Sequence, residues 1–294
     1  EDGIRYRAII DPTKPILQSE LATKADAEEL RTKLHLRAIR RSNDKGYHYF
    51  IANLTPNDVD AYVNLAVKWK DAMWFNPLNG ERYMAEKEDG KIRVALKSGE
   101  SMILETFNKS LENVGNIPAR QYVQADTVMK EIDTPWQLSF AASAPKVTKT
   151  WTLDKPRTWE GLDDDSVKVT MGTGVYTTVL NLNKGEAQKH WAIDLGDVRE
   201  SARVYINGQF IGCAWAAPFV LNCHNSLRKG RNEIHIEVTN LPANRIADYD
   251  RRGVKWRIMK DINVVDLNYK RSNYASWKPV PSGLNGAVRL VELQ

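Results

Sequence analysis

Cysteine is nearly absent from this chain. Cys213 and Cys223 are the only two in 294 residues, which excludes a disulfide framework. They could form one bridge, but two buried thiols is the preferred reading. No uninterrupted apolar run approaches the roughly 20 residues of a membrane span. Charge of one sign is lacking too: 42 Lys and Arg face 37 Asp and Glu, a formal net charge of +5. Interspersed charges of this kind make an ordinary solvated surface that permits an acidic partner without demanding one. Catalytic signatures are also missing. No G-x-S-x-G elbow, Walker loop or G-x-G-x-x-G opens a helix, and five scattered histidines lack the spacing of a zinc site. Cys223-His224 lies near Cys213, but a structural zinc wants a fourth ligand. Finally, the chain opens Glu1-Asp2-Gly3-Ile4, with neither an initiator Met nor a signal peptide, as expected of a cut from a longer or processed polypeptide.

What the sequence does have is period two. Residues 19–36 are the one predicted helix, capped by Ser19, with Leu30 and Leu34 one turn apart. From there strands follow. Tyr47, Tyr49 and Ile51 oppose His48, Phe50 and Ala52. Val63, Leu65 and Val67 alternate through a strand expected over Ala61–Trp69. Ile92, Val94 and Leu96 alternate with Lys91, Arg93 and Lys97, and Ser101–Phe107 follows. Asn79-Gly80 and Asp89-Gly90 supply the positive-φ pairs of tight hairpins. Residues 108–134 lose the alternation and read as linker. Beyond it, Trp191, Ile193 and Leu195 alternate, Val204 and Ile206 lead into Asn207-Gly208, and Ile234, Ile236 and Val238 share a face. Two mostly β modules are expected, residues 1–120 and 121–294, each an antiparallel sandwich.

The motifs of the second module carry a resemblance. Ala202-Arg203-Val204-Tyr205-Ile206-Asn207-Gly208, Gly212, Trp215, Pro218-Phe219, Leu227, Gly230-Arg231-Asn232, Val238-Thr239-Asn240 and the closing Ser282-Gly283-Leu284-Asn285-Gly286-Ala287-Val288-Arg289-Leu290 resemble the galactose-binding-like jelly roll of glycoside hydrolase family 2. In the first module, Arg40-Arg41, Tyr49–Leu54, Trp74–Gly80 and Val94-Ala95-Leu96 are similar to a segment of family 106, whose activity is α-L-rhamnosidase. The resemblance implies a region that packs on a catalytic barrel, binds carbohydrate or polysaccharide, and works in the periplasm or outside the cell. In those families the catalytic carboxylates sit on the barrel, which this chain has no alternating strands and helices to build, so no catalytic residue is carried over.

Candidate sites are weighed against plainer roles. Asp163-Asp164-Asp165 offers the oxygen ligands that Ca²⁺ prefers, but adjacent acids in a loop are usually just solvated, and no cofactor is expected. Trp215 suits either a sugar-stacking platform or a core or domain-interface role. The strongest stretch runs from Asn244 to Trp277. Asn244, Arg245, Asp248, Tyr249 and Asp250 follow a strand end, where a loop can present polar groups. Arg251, Arg252, Lys255 and Arg257 add positive charge, and Tyr269, Tyr274 and Trp277 add aromatic faces. Arg can grip a carboxylate bidentately, while Asp and Asn pair with vicinal hydroxyls. Asn244, Arg245, Asp248, Trp277 and Trp215 are the expected carbohydrate-binding residues, although tying the loop to the sandwich through backbone hydrogen bonds is the preferred role for Asn244 and Arg245. Interspersed Asp248, Asp250, Asp261 and Asp266 argue against nucleic acid. Two rival functions remain: a stand-alone carbohydrate- or protein-binding protein, and a complete hydrolase with an unfamiliar site.

Overall fold

The computed structural model describes residues 28–111, 117–122, 129–257, 268 and 272–293. Two compact units lie within Glu1–Arg120 and Gln121–Gln294. Both are mostly β, their ladders antiparallel and their described helices short.

The first unit begins with helix α1 (Glu29–Thr32) and continues through β1 (Arg37–Asn43), β2 (Gly46–Ala52), β3 (Val59–Val63), β4 (Asp71–Phe75), β5 (Arg82–Met84), β6 (Lys87–Glu88), β7 (Lys91–Leu96) and β8 (Ser101–Phe107). A five-stranded sheet runs β1-β2-β8-β4-β5 and a three-stranded one β3-β7-β6. Tyr49, Ile51, Trp74, Met102 and Leu104 of the larger sheet join Val63, Ile92, Val94 and Leu96 of the smaller in one hydrophobic cluster. Each such side chain, fully buried, contributes about 1.5–3 kcal/mol. Asp89-Gly90 forms a two-residue hairpin, with φ of 48° and 76° between paired Glu88 and Lys91.

The opposite face of the larger sheet carries an apolar row flanked by polar residues such as Arg41, His48 and Glu105. Ile39, Phe50, Ile103 and Phe75 are successive cross-strand neighbours from β1 to β4. Ile39 is 66% exposed, Phe50 45%, and Leu54, just beyond β2, 72%. Arg82 closes the row, its guanidinium 5.2 Å above the Phe75 ring.

Three expectations for this unit are corrected. The strand expected over Ala61–Trp69 stops at Val63, because acidic side chains claim the next amides. Asn64 N–H donates to Glu29 at 2.8 Å and Ala66 N–H to Glu28 at 2.9 Å. Glu28 is buried and also accepts from Arg40 at 2.6 Å and Tyr49 Oη at 3.0 Å, so the acid that stops the strand is itself fully satisfied. Asn79-Gly80 is no two-residue hairpin: a longer loop joins β4 to β5, closed by Asn76 N–H to Glu81 O at 2.8 Å. Of the helix expected over 19–36, only Glu29–Thr32 is helical among the described residues, and 19–27 lie outside them.

The second unit contains β9 (Met129–Glu131), β10 (Trp136–Ala144), β11 (Trp151–Leu153), α2 (Asp165–Lys168), β12 (Met171–Leu182), α3 (Lys184–Ala187), β13 (Trp191–Asp194), β14 (Asp197–Arg199), β15 (Ser201–Ile206), β16 (Gln209–Ala214), β17 (Val220–Asn222), β18 (Gly230–Thr239), α4 (Ala243–Arg251), β19 (Gly283–Asn285) and β20 (Arg289–Glu292). Its sheets run β11-β10-β12-β18-β15-β16, β17-β13-β20-β9 and β14-β19. Trp136, Tyr176, Ile234 and Ile236 of the first meet Trp191, Ile193 and Leu290 of the second in one cluster. Strand β9 lies inside the stretch read as linker and pairs with β20. Asn207-Gly208 turns with φ of 53° and 81°. The Asn207 amide ties that turn to Ser226 O at 2.8 Å and to the buried Asn232 at 2.9 Å.

Cys213 and Cys223 are both free, and the reading of two buried thiols holds for only one. Cys223 is buried, which pushes its thiol pKa up to about 12, but Cys213 is exposed. Cys213 sits on β16, an edge strand of its sheet, and pairs with Arg203 of β15 on the side away from buried Val204.

Candidate functional site

The segment from Asn244 to Arg251 is a helix rather than the loop expected from sequence. Helix α4 begins beyond Pro242, and Asn244 and Ala247, one turn apart, are its buried positions. Asn244 works as a clamp at its start. The amide donates to Val280 O at 2.8 Å and accepts from Val280 N–H at 2.8 Å, with Glu160 a further 3.4 Å partner. Arg245, Asp248, Tyr249 and Arg252, at i, i+3, i+4 and i+7, share another face. Asp248 accepts from Arg245 at 2.9 Å and Arg252 at 3.1 Å, and the Arg245 guanidinium lies 4.4 Å above the Tyr249 ring.

Asp250 is the second clamp. Its carboxylate accepts from the Trp256 indole at 2.7 Å, the Tyr274 N–H at 2.8 Å and Arg257 at 3.3 Å. The Tyr274 amide first, then the Trp256 indole and Arg257, hold this carboxyl below the usual aspartate range. Arg257 also donates to Ser272 O at 2.5 Å and lies 4.4 Å above the Trp256 ring.

An aromatic row accompanies the Asp250 clamp. Trp256 and Tyr274 are 6.4 Å apart, and Tyr274 and Trp277 are 4.3 Å apart at 42°. The Trp277 N–H donates to Tyr274 O at 3.0 Å in a turn. Trp277 remains 47% exposed, its ring packed against Tyr274. A pinned, half-exposed indole presents a flat apolar face of the kind that takes the C–H side of a pyranose, with polar groups available at its edge.

Of the expected site residues, the structure gathers Asn244, Arg245, Asp248 and Trp277 around α4. In this arrangement Asn244 and Arg245 tie the helix and its neighbours together, and Asp248 is spent on two guanidinium groups. Asp250, Trp256 and Arg257 carry more of the geometry than sequence reasoning gave them; the run Asp-x₅-Trp-Arg was the signal. Tyr269 lies outside the described residues. Trp215, after β16, is 56% exposed, which rules out a core role, and among the described residues no hydrogen bond or ring contact links it to the α4 cluster. The acids of Asp163-Asp164-Asp165 diverge. Asp163 accepts from the Trp151 indole at 3.1 Å, Asp164 caps α2 through Ser166 N–H at 2.8 Å, and Asp165 pairs with Lys168 at 2.8 Å. Among the described residues no group of three His, Cys, Asp or Glu side chains is placed to hold a metal ion, and no helix is long and apolar enough to cross a membrane.

No family model matches the chain. A protein of Formosa agariphila named putative beta-glucuronidase is 26% identical over 228 residues, 69% of this chain and 19% of that protein. A β-glucuronidase structure from an uncultured Clostridium species overlays at a TM-score of 0.39 with 16% identity over 57% of this chain and 29% of its own, too loosely to carry an argument. The structure of a rhamnosidase from Novosphingobium sp. PP1Y matches over 87% of this chain and 24% of its own, with a TM-score of 0.64 and 23% identity. The chain thus spans about a fifth of one relative and a quarter of the other, and shares its fold with part of a glycoside hydrolase.

Proposed function

We propose that this chain is a non-catalytic accessory region of a glycoside hydrolase, rhamnosidase-like, which packs on a catalytic barrel and helps to hold carbohydrate. In this reading the units are two β-sandwich modules, the second a galactose-binding-like jelly roll, and the parent enzyme works in the periplasm or outside the cell. The observation that carries it is the fold match, which covers nearly the whole chain and only a quarter of the rhamnosidase. The outward row Ile39, Phe50, Ile103 and Phe75 supports the packing role. Antiparallel sheets normally face water on one side with polar residues, and an apolar patch of this kind marks a surface that gets covered. The barrel is the occupant proposed, since four-fifths of one relative lies beyond the matched part. A non-catalytic role is supported by the site's own acids: Asp248 and Asp250 are committed to guanidinium, indole and amide partners that hold the chain in shape.

Two assays of the purified chain test this. Aryl α-L-rhamnosides and aryl β-glucuronides should not turn over, and measurable turnover would overthrow the non-catalytic assignment. A glycan screen should give weak binding, since an open face desolvates little of a hydrophilic ligand. Trp277→Ala should lower it by about tenfold, in line with the energy of one aromatic platform.

A further inference from the structure

The polar surroundings of Trp277 are lopsided in charge. Residues 243–280 contain nine Lys and Arg, among them Arg245, Arg251, Arg252, Lys255, Arg257 and Lys278, against four acids, Asp248, Asp250, Asp261 and Asp266. Asp248 is already committed to Arg245 and Arg252, and Asp250 to Arg257, the Trp256 indole and the Tyr274 amide. Arg251, Lys255 and Lys278 have no hydrogen bond or ion pair among the described residues. In the chain Lys255 precedes Trp256, Lys278 follows Trp277, and Arg251 ends α4, so three cations lie next in sequence to the elements that carry the aromatic row. Glu160 contacts Asn244 at the start of this helix, at 3.4 Å.

We infer that the Tyr274–Trp277 platform selects anionic polysaccharide, a pyranose face lying on Trp277 while carboxylate or sulfate groups meet Lys255, Lys278 and Arg251. The inference rests on the carbohydrate-binding reading and names its ligand class. A neutral glycan trades water for equally good partners and gains little, whereas charge-assisted hydrogen bonds are about twice as strong and an excess of cations over acids draws an anionic chain in. The clamped acids matter here: were Asp248 or Asp250 free, each would cancel a neighbouring cation.

Affinity electrophoresis of the full chain tests this with polygalacturonate, its fully methyl-esterified form, dextran sulfate, neutral dextran and duplex DNA. Polygalacturonate should be retarded at least tenfold more strongly than its ester, and Trp277→Ala should lose that retardation. Dextran sulfate shows whether sulfate substitutes for carboxylate; retardation equal to polygalacturonate supports both groups, and less than that narrows the ligand to uronate. Lys255→Gln with Lys278→Gln should bring polygalacturonate down to the level of the ester while leaving the ester unchanged. Equal binding of ester and acid would overturn the charge selection and leave the carbohydrate reading standing. No retardation by any glycan would sink both. Retardation by DNA equal to that by polygalacturonate, and indifferent to Trp277→Ala, would mean a general polyanion surface and overturn the inference. Circular dichroism of each variant checks that the fold is intact.

Discussion

Gly283 shows how a motif read in sequence acts in the structure. Its φ of +92° is a left-handed conformation that side chains rarely adopt, and a Cβ there would lie 2.4 Å from both Trp159 Nε1 and Tyr176 Oη. Those two atoms bond each other at 2.8 Å, and Leu284 N–H donates to the same hydroxyl at 3.2 Å. Gly283→Ala should therefore destabilise the second unit by about 3 kcal/mol, since it adds overpacking to backbone strain. Thermal unfolding checks it; an unchanged Tm would mean that the two rings can separate freely. Neighbouring motif residues behave alike. Asn240 donates to Thr170 O at 3.0 Å and to Ser282 Oγ at 3.0 Å, and Asn232 closes the turn before β18. The conspicuous Asn and Gly positions of the resemblance are thus largely hydrogen-bond and backbone fixtures.

At the scale of elements, strands were more legible than the helix that matters most. β7 alternates buried Ile92, Val94 and Leu96 with more exposed neighbours because one face meets the core, and that pattern survives in any antiparallel context. Helix α4 escaped notice because its stabilising contacts lie outside it. Only Asn244 and Ala247 are buried, its apolar stripe is short, and its ends are held by Val280 and Tyr274, some 30 residues onward. Likewise the break after Val63 depends on Glu28 and Glu29, far back in the chain, which no local window reveals. The clamp at Asp250 makes a pH prediction. Its folded pKa is depressed, so its contribution is complete above the ordinary aspartate value of about 3.9 and is lost only as pH falls through the lower folded value. The Trp256 indole N–H resonance should hold steady from neutral pH to about 4 and move only below it. Asp250→Asn should abolish that titration, and a midpoint at or above the ordinary value would disprove the clamp.

For the whole molecule, the question is what the two-faced sheet of the first unit implies. Tyr49 and Phe50 are adjacent on β2, yet one is fully buried and bonded to Glu28 while the other faces outward beside Ile39. Sequence alternation set Tyr47, Tyr49 and Ile51 opposite His48, Phe50 and Ala52 but could not say which face this chain covers, because covering is a property of what lies against the sheet. The structure answers for one face: Tyr49 belongs to the core. Tyr49→Ala should cost about 4 kcal/mol, whereas Phe50→Lys should change stability by no more than about 0.5 kcal/mol and leave Tm within about 2 °C. Phe50→Lys with Ile39→Lys should also lower the binding of an apolar dye, since the pair removes much of the exposed row. Should Phe50→Lys instead unfold the protein, the row would be covered by this same chain, and the case for an outside partner on that face would fall with it. If the protein stays folded and the dye is lost, the isolated chain carries an apolar surface it does not need for its own stability, as expected of a region shaped to sit against a larger body.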